Sequence, residues 1–417
     1  MQDDYLYPSL IQKDKLTCTR GNKMKSIIEE RRETEVIFNC DVLIAGGGIA
    51  GISAALAAAR SGAKVVLVER ECVLGGLATL GLITIYLPLC DGVGNQVTFG
   101  IGEELLRLSI KHGVEDKYPK PWLENGTFEE RKQKRFEVQY NPHLFAIEVE
   151  QLLLKEGVEI FYNTLICDVA KENQKISHVI LENKSGRTAI QVKSVVDTTG
   201  DAEICRMAGE KTVLFTQKNI LANWYYYIEE GKLRLAQLGV ADIPEEYKDK
   251  KAPKPLIKRR FTGLDGVEIS EMLCLAHEQM LNNVLKRREV DKSHTPVTMP
   301  TIPQVRMTRR LDGIYTLDDK EMHKHFDDGI GLIGDWRKRG PVYEIPFSTL
   351  YGSRIKNLIT AGRCISVTDS MWDISRVIPA CAVTGEAAGT AAAMTDDYAN
   401  LDISILRTEL INKGVKL

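Results

Sequence analysis

Residues 41–69 read DVLIAGGGIAGISAALAAARSGAKVVLVE. An apolar strand, Asp41 to Ala45, runs into three glycines. Gly46, Gly48 and Gly51 fall at GxGxxG spacing, and a helix of small residues follows from Ile49 to Ser61. A second apolar run, Lys64 to Val68, closes on an acid, Glu69, with Arg70 behind it. Each part has a task in holding a dinucleotide. Gly46 permits the tight strand-to-helix turn, Gly48 lets the backbone touch a pyrophosphate, and Gly51 lets the helix lie close on the sheet. The helix start, Ile49 and Ala50, offers unpaired N–H groups and a positive dipole end to the phosphates. Glu69 can accept both hydroxyls of an adenosine ribose. A glycine-rich turn in some other α/β protein has no need of that closing acid.

Around this unit the chain is long enough, at 417 residues, to bury a large core in two domains. Lysine plus arginine is 55 against 57 for aspartate plus glutamate, a net of −2, so no global field points to nucleic acid or an anionic membrane. No apolar run reaches the length of a membrane span, and the stretch 1–15 lacks the apolar core of a secretory signal. Nine cysteines without a CxxC pair or a Cys/His metal spacing read as reduced thiols, mostly core filler, in a cytoplasmic protein. No metal site is expected.

In chain order, residues 1–23 are polar and patternless and are expected to form a loose extension. Residues 25–33 suggest a short helix, and Thr34–Cys40 a strand leading into the glycine turn. After Glu69, the doublet Gly75-Gly76 allows a second backbone approach to a cofactor. No cysteine follows it, which excludes the redox dithiol of the disulfide reductases; Cys72 has no partner and reads as structural. Residues 81–140 are an insertion, closing on a charged run, Glu129–Arg135, expected to be a solvated face. Asn141-Pro142 caps a helix to about Lys155, on which Leu144, Ile147, Glu148 and Gln151 share a face. From Leu165 to Thr199 apolar and polar residues alternate across two turns, the mark of an antiparallel meander. It ends in a strand running into Thr199-Gly200. Residues 205–345 differ in texture and form the candidate substrate domain. They hold an aromatic strand, Asn223–Ile228, and an amphipathic helix, Ile269–Arg288. A second GxGxxG, at Gly329, Gly331 and Gly334, lacks the preceding strand that the fingerprint requires, so one dinucleotide site is expected. Asn357–Cys364 is a strand ending in Gly362-Arg363. Near the C-terminus SRVIPACA leads into a small-residue helix, Val383–Met394, with Pro379 in its first turn.

Together DVLIAGGGIAG, LGGLAT, VVDTTGDAEI, MTRRLDGIYTL, EIPFSTL and NLITAGRCIS…SRVIPACAVTGEAAGTAAAM resemble the FAD-dependent oxidoreductases of glutathione-reductase-like fold. The likeness spans about residues 24–398. It is greatest to a bacterial FAD-dependent oxidoreductase family distantly similar to fumarate reductase flavoproteins and thiazole-biosynthesis enzymes. It implies an α/β architecture: a Rossmann-like FAD-binding domain, of parallel sheet plus antiparallel meander, with an inserted α+β substrate domain. The FAD-binding parts would be 24–204 and 346–417, and the substrate or cap domain 205–345. By the resemblance, Gly46, Gly48, Ile49, Ala50 and Gly51 meet the pyrophosphate, and Glu69 and Arg70 the adenosine ribose. Gly75, Gly76, Thr199 and Gly200 line the cofactor, and Ile166 holds adenine through its backbone. Gly362 and Arg363 stand where related flavoproteins often carry Gly-Asp against the ribityl chain. Arg376 and Pro379 lie near the isoalloxazine.

The implied activity is hydride transfer between flavin N5 and a small, carboxylate-bearing substrate. Arg376, Arg309 and Arg310 are the candidate catalytic residues, since an arginine can clamp a carboxylate bidentately. Tyr343 and Glu344 are either proton donors or junction contacts. His143, His277 and His294 read as surface or capping residues rather than site residues. Two other classes stay open. One is a flavoprotein reduced directly by NAD(P)H, for which a second glycine fingerprint is missing. The other is a protein that keeps FAD for a non-redox or tRNA-modifying task. Its only support is Lys248–Arg260, with seven basic residues and one acid. No nucleic-acid partner and no membrane span are expected. The electron partner stays open, and a homo-oligomer is compatible with the sequence.

Overall fold

The computed structural model describes residues 27–30, 32–112, 119–239 and 255–417. The expected loose extension, 1–23, lies outside them, as does the first half of the basic stretch at 248–260. Residues 27–30, 32 and 33 are not helical, which corrects the short helix expected there: without a cap or an apolar face, nothing holds one.

The chain enters its main sheet at β1 (Glu35–Ala45), whose exposed first half turns fully buried by Val42. Helix α1 (Ile49–Arg60) and β2 (Val65–Val68) complete the opening unit. The insertion contributes β3 (Ile85–Tyr86), α2 (Ile101–Ser109), α3 (Lys120–Leu123), α4 (Phe128–Gln133) and β4 (Val138–Gln139). No residue of α4 is buried, as its charged run suggested. Asn141 Oδ1 accepts from the His143 and Leu144 amides and starts α5 (Pro142–Lys155), which leads to β5 (Glu159–Phe161). The face of α5 that packs is Phe145, Ala146, Val149 and Leu153. The face shared by Leu144, Ile147, Glu148 and Gln151 is the outer one, with Leu144, Ile147 and Gln151 exposed.

The meander is β6 (Leu165–Glu172), β7 (Lys175–Asn183) and β8 (Gly186–Asp197). Next come α6 (Glu203–Ala208), β9 (Thr212–Leu214), β10 (Tyr225–Glu229), β11 (Lys232–Ala236), α7 (Gly266–Val290), β12 (Thr295–Thr298) and β13 (Arg309–Leu311). The chain then forms β14 (Gly329–Gly334), β15 (Val342–Pro346), β16 (Leu358–Thr360), α8 (Asp369–Ser375), α9 (Ile378–Met394) and α10 (Ile403–Asn412).

Strand β8 organises the sheet. On one side it pairs in parallel with β1, which pairs in parallel with β2, and β2 with β5. On its other side the first half of β8 pairs antiparallel with β7, and the last three residues pair parallel with β16. A parallel Rossmann-like sheet and an antiparallel meander thus share one strand, the expected α/β arrangement. Strands β10, β11 and β12 form a separate three-stranded sheet, and β9 pairs with β13. The glycines of the second GxGxxG lie in β14, hydrogen-bonded to β15, and not in a strand-to-helix turn. No single helix among the described residues is long and apolar enough to cross a membrane.

Helix α9 begins at Ile378, five residues before its expected start, because Pro379 suits a first turn and needs no helical partner for its nitrogen. It lies directly on α1. A Cβ on Gly389 would stand 2.1 Å from the Ala54 carbonyl oxygen, and one on Gly385 2.3 Å from that of Ala50. Two nearly side-chain-free ridges therefore meet backbone to backbone, in the middle of the core.

Candidate functional site

The glycine turn has the shape that a phosphate cradle requires. Gly46 sits at φ +104°, with its amide donating to the Val68 carbonyl at 2.9 Å. A Cβ on Gly51 would lie 1.9 Å from the Gly46 carbonyl oxygen, so only glycine lets α1 start this close to β1. At Gly48 the reverse holds: an added Cβ would meet nothing within 4 Å. Gly48 is the N-cap of α1 and has no side chain to cap the first-turn amides.

Glu69 is buried at one end of this turn. Its Oε2 accepts from the Gly47 amide at 2.6 Å and its Oε1 from the Glu71 amide at 2.9 Å. Burial raises its carboxyl above the usual carboxylate range, against those two bonds. Each oxygen keeps a further acceptor position for a ribose hydroxyl. Arg70 is exposed and pairs loosely with Glu71 at 3.5 Å. The Thr164 amide donates to the Glu69 carbonyl at 3.1 Å, which brings the start of β6, with Ile166, to this end. The Gly75 amide donates to the Gly47 carbonyl at 2.8 Å. Gly76 then backs onto Gly48, its would-be Cβ 3.4 Å from the Gly48 Cα.

At the other end, β8 stops at the fully buried Asp197, whose Oδ1 accepts from the Thr199 amide and hydroxyl at 3.1 and 2.7 Å. Gly200 follows at φ +81°, and the Arg363 guanidinium lies over the place where its Cβ would be. Arg363 pairs with Asp201 at 3.5 Å and donates from Nη1 to the Val305 and Arg306 carbonyls at 2.7 and 2.9 Å. The residue that replaces the familiar aspartate thus ties the meander end to the middle of the chain. Gly362 rests against Ala50 of α1, and its amide donates to Thr384 Oγ1 at 2.9 Å.

The third wall is the corner between α8 and α9, which bend 90° at Arg376-Val377. Arg376 is the C-cap of α8. Its Nε and Nη2 donate to Asp373 Oδ1 at 3.1 and 2.5 Å. Arg337 also approaches Asp373, at 3.5 Å, and pairs with Asp335 at 3.1 Å. Pro379 occupies the first turn of α9, whose N-cap Val377 has no capping side chain.

Arg309 and Arg310 separate. They are neighbours on a strand, so their side chains leave on opposite faces. Arg309 reaches the Asp201 carbonyl at 3.5 Å and lies near Arg206 and Glu203. Arg310 pairs with Asp369 at 3.4 Å over the Trp372 ring and lines a separate cleft of about 460 Å³ with Asp318, Lys320 and Thr368. The two do not clamp one carboxylate together.

Reading the sequence missed Arg306, Gln304 and Ser375. All are buried, and Arg306 Nε and Nη2, Gln304 Oε1 and Ser375 Oγ have no hydrogen-bond partner. No local motif announces them; only the fold brings the stretch 301–308 to Leu80, Gly81, Asp201 and Arg363. His143 and His277 are exposed, as expected. His294 is fully buried beside Tyr225 and Glu229, at 3.3 and 3.4 Å. Tyr343 and Glu344 are engaged away from the groove, Tyr343 with the Asp319 carbonyl and Glu344 with His325 and the Phe326 amide. Cys72 is exposed and fills no core. No group of three or more metal-binding side chains exists among the described residues.

The open ground at Gly48, the uncapped start of α1 and the spare acceptor positions of Glu69 fit the pyrophosphate and ribose of FAD. The family model of FAD dependent oxidoreductases matches residues 41–223 and 258–410. The chain belongs to this family, and FAD is its cofactor. The flavoprotein is also 24% identical, over 306 residues, to the digeranylgeranylglycerophospholipid reductase of Thermoplasma volcanium, covering 65% of this chain and 72% of that one. To the reductase of the same name from Thermoplasma acidophilum it is 25% identical over 197 residues, 45% of this chain. The match spans about half of that relative, 46% of its length. A fumarate reductase (cytochrome) of Shewanella frigidimarina is 40% identical over 74 residues, 18% of this chain and 13% of the relative. Among solved structures, a geranylgeranyl bacteriochlorophyll reductase-like protein of Thermoplasma acidophilum aligns with a TM-score of 0.45 at 15% identity, covering 91% of this chain and 84% of that one.

Proposed function

We propose that this oxidoreductase exchanges a hydride between its flavin and a small, carboxylate-bearing substrate. FAD would lie along the groove described above. Gly46, Gly48, Ile49, Ala50 and Gly51 would hold its pyrophosphate, and Glu69, Arg70 and Ile166 its adenosine. Gly75, Gly76, Thr199, Gly200, Gly362 and Arg363 would line its middle, and Pro379 its ring end. When bound, FAD supplies a two-electron centre that accepts or returns a hydride.

The observation that carries the reading is the concentration of positive charge at the uncapped N-terminus of α9. Arg376 caps α8 at that corner, Arg363 backs onto Gly200, and the buried Arg306 has its hold on its proton weakened, first by burial and then by the like charge of Arg376 and Arg363. Asp373 and Asp201 answer two of them. Such a field favours both the negative charge of a reduced isoalloxazine and an anionic substrate beside it. Arg376 is the group proposed to touch both. Arg309 and Arg310 are retained as candidates from the family pattern, each acting alone. The domain division at 205–345 is proposed on the separate sheet of β10–β12. Free thiols at eight described cysteines support a cytoplasmic location.

The test is an anaerobic screen of hydroxy acids, amino acids and enoates against the oxidised and the dithionite-reduced holoprotein, followed at the flavin absorbance band. Bleaching or reoxidation by a carboxylate, and not by its methyl ester, is the expected result. A response to the esters alone would contradict the carboxylate assignment.

A further inference from the structure

The stretch 299–308 between β12 and β13 bridges the segment that follows the Gly75-Gly76 doublet and the segment that follows β8. On one side the Thr301 amide donates to the Leu80 carbonyl at 3.1 Å, and Gln304 Nε2 to the Gly81 carbonyl at 2.6 Å. On the other, Thr308 Oγ1 donates to Asp201 at 2.6 Å, and Arg363 holds the Val305 and Arg306 carbonyls. Asn219 Oδ1 accepts from the Arg306 and Met307 amides at 3.1 Å each, which fixes the backbone at this point. The stretch is therefore tied down on both sides, and Arg306 hangs from its middle.

Arg306 is 5% exposed. Its Cζ lies 5.6 Å from the Trp224 ring centre, and its charge feels Arg376, Arg363 and Asp373. Its backbone carbonyl is held by Arg363, which ties this position to Gly200 and Asp201. Arg363, Arg376 and Arg337 each have a carboxylate within 3.5 Å. Among the described residues Arg306 has none, and Nε and Nη2 have no acceptor. Burying a guanidinium unpaired, next to two others, is costly. A fold that retains it there keeps it for an anion that arrives from outside the chain. Nε and Nη2 form one edge of the guanidinium, the edge that meets both oxygens of a carboxylate in two parallel bonds.

We propose that Arg306 is the substrate-carboxylate anchor of this enzyme, taking the carboxylate side-on through Nε and Nη2 with the Trp224 ring beside it. The assignment rests on the hydride-transfer reading above, and it names the residue that gives that reading its substrate class. Arg376 and Arg363 are held by their own acids and shape the field. Among the described residues, Arg306 has both nitrogens of its bonding edge, Nε and Nη2, without an acceptor.

The test uses holoprotein carrying FAD. Malonate, succinate and lactate are titrated into the wild type, Arg306→Gln and Arg306→Lys. Perturbation of the flavin spectrum and isothermal calorimetry report binding; the flavin-to-protein ratio reports the cofactor. The wild type should bind at least one of these carboxylates with a spectral shift. Arg306→Gln should keep a full complement of FAD and weaken that binding by roughly thirty-fold or more. Arg306→Lys, which keeps the charge and loses the two-toothed edge, should fall between. If Arg306→Gln does not fold, the Lys variant and protection of the wild type against thermal unfolding by malonate decide. Three results would overturn the proposal: equal carboxylate affinity in the variants, loss of FAD from folded variants (which would make Arg306 a cofactor ligand), or no binding of any probe by the wild type. Arg306-dependent binding without turnover would leave the anchor standing and count against hydride transfer.

Discussion

A methyl group at Gly48 would touch no atom of the described residues, whereas one at Gly51 would collide with the Gly46 carbonyl. Packing therefore accounts for Gly51 and leaves Gly48 to be explained by what binds above it. Gly48→Val should fold normally and lose FAD. The flavin-to-protein ratio should drop to near zero, while the melting temperature matches that of wild type stripped of flavin; a variant that purifies with full flavin contradicts the cradle. Arg376 gives a second residue-scale prediction. Arg376→Ala leaves the fully buried Asp373 with Arg337 at 3.5 Å as its remaining cation. Breaking such a pair costs about 3 kcal/mol, so chemical denaturation should show a loss of that order. FAD should be retained, since Arg376 is proposed at the ring end and not at the phosphates. Stopped-flow reduction by dithionite, or by any substrate found, should change in rate; unchanged kinetics count against Arg376.

At the scale of elements, α1 and α9 form the centre of the core, and two features of α9 are testable. Gly389→Ala would place a methyl 2.1 Å from the Ala54 carbonyl oxygen. The helices must part, at a cost of about 1–3 kcal/mol, visible as a lowered denaturation midpoint with the spectrum of bound flavin little altered. Glu386, one turn earlier, reaches from α9 to accept the Ile101 amide at the start of α2, at 2.9 Å. Burial pushes its carboxyl up to about 7, from 4.5. The folded state then holds this proton more tightly than the unfolded chain does. The stabilisation is complete below about pH 4.5 and is lost as pH rises through about 7. A shift of this size corresponds to about 3 kcal/mol. Glu386→Gln, whose amide oxygen can still accept from Ile101, should remove that fall between pH 5 and 8. A variant with the same pH–stability curve as wild type contradicts it. Elements such as these were legible where period and caps are strong: the glycine turn, the meander and the Asn141-capped α5 all lie where their residues put them. Which face of α5 packs was not legible, because its exposed side also carries Leu144, Ile147 and Leu154. The seven-residue α8 was missed, being too short to show a period.

For the whole molecule, the glycine turn and its neighbours were legible because they lie close together in sequence, within residues 46–76. At the α8–α9 corner Gly362, Arg363, Arg376 and Pro379 could be named only through the family resemblance, and their contacts with residues 304–308 and 335–337 could not be foreseen. No spacing rule links these, and the pairing of Arg337 with Asp373 or of Arg363 with the Arg306 carbonyl is decided by the fold alone. The position of Gly329–Gly334 in a strand also bears on the whole molecule, since it leaves one glycine turn among the described residues for the proposed dinucleotide site. The central claim is that this turn holds FAD. The measurement that tests it most directly is the visible absorbance spectrum of the freshly purified protein, repeated on the supernatant and pellet after acid precipitation. The predicted result is a flavin spectrum that moves entirely to the supernatant. Colour retained in the pellet would contradict non-covalent binding, and a colourless protein that fails to take up added FAD would contradict the central claim.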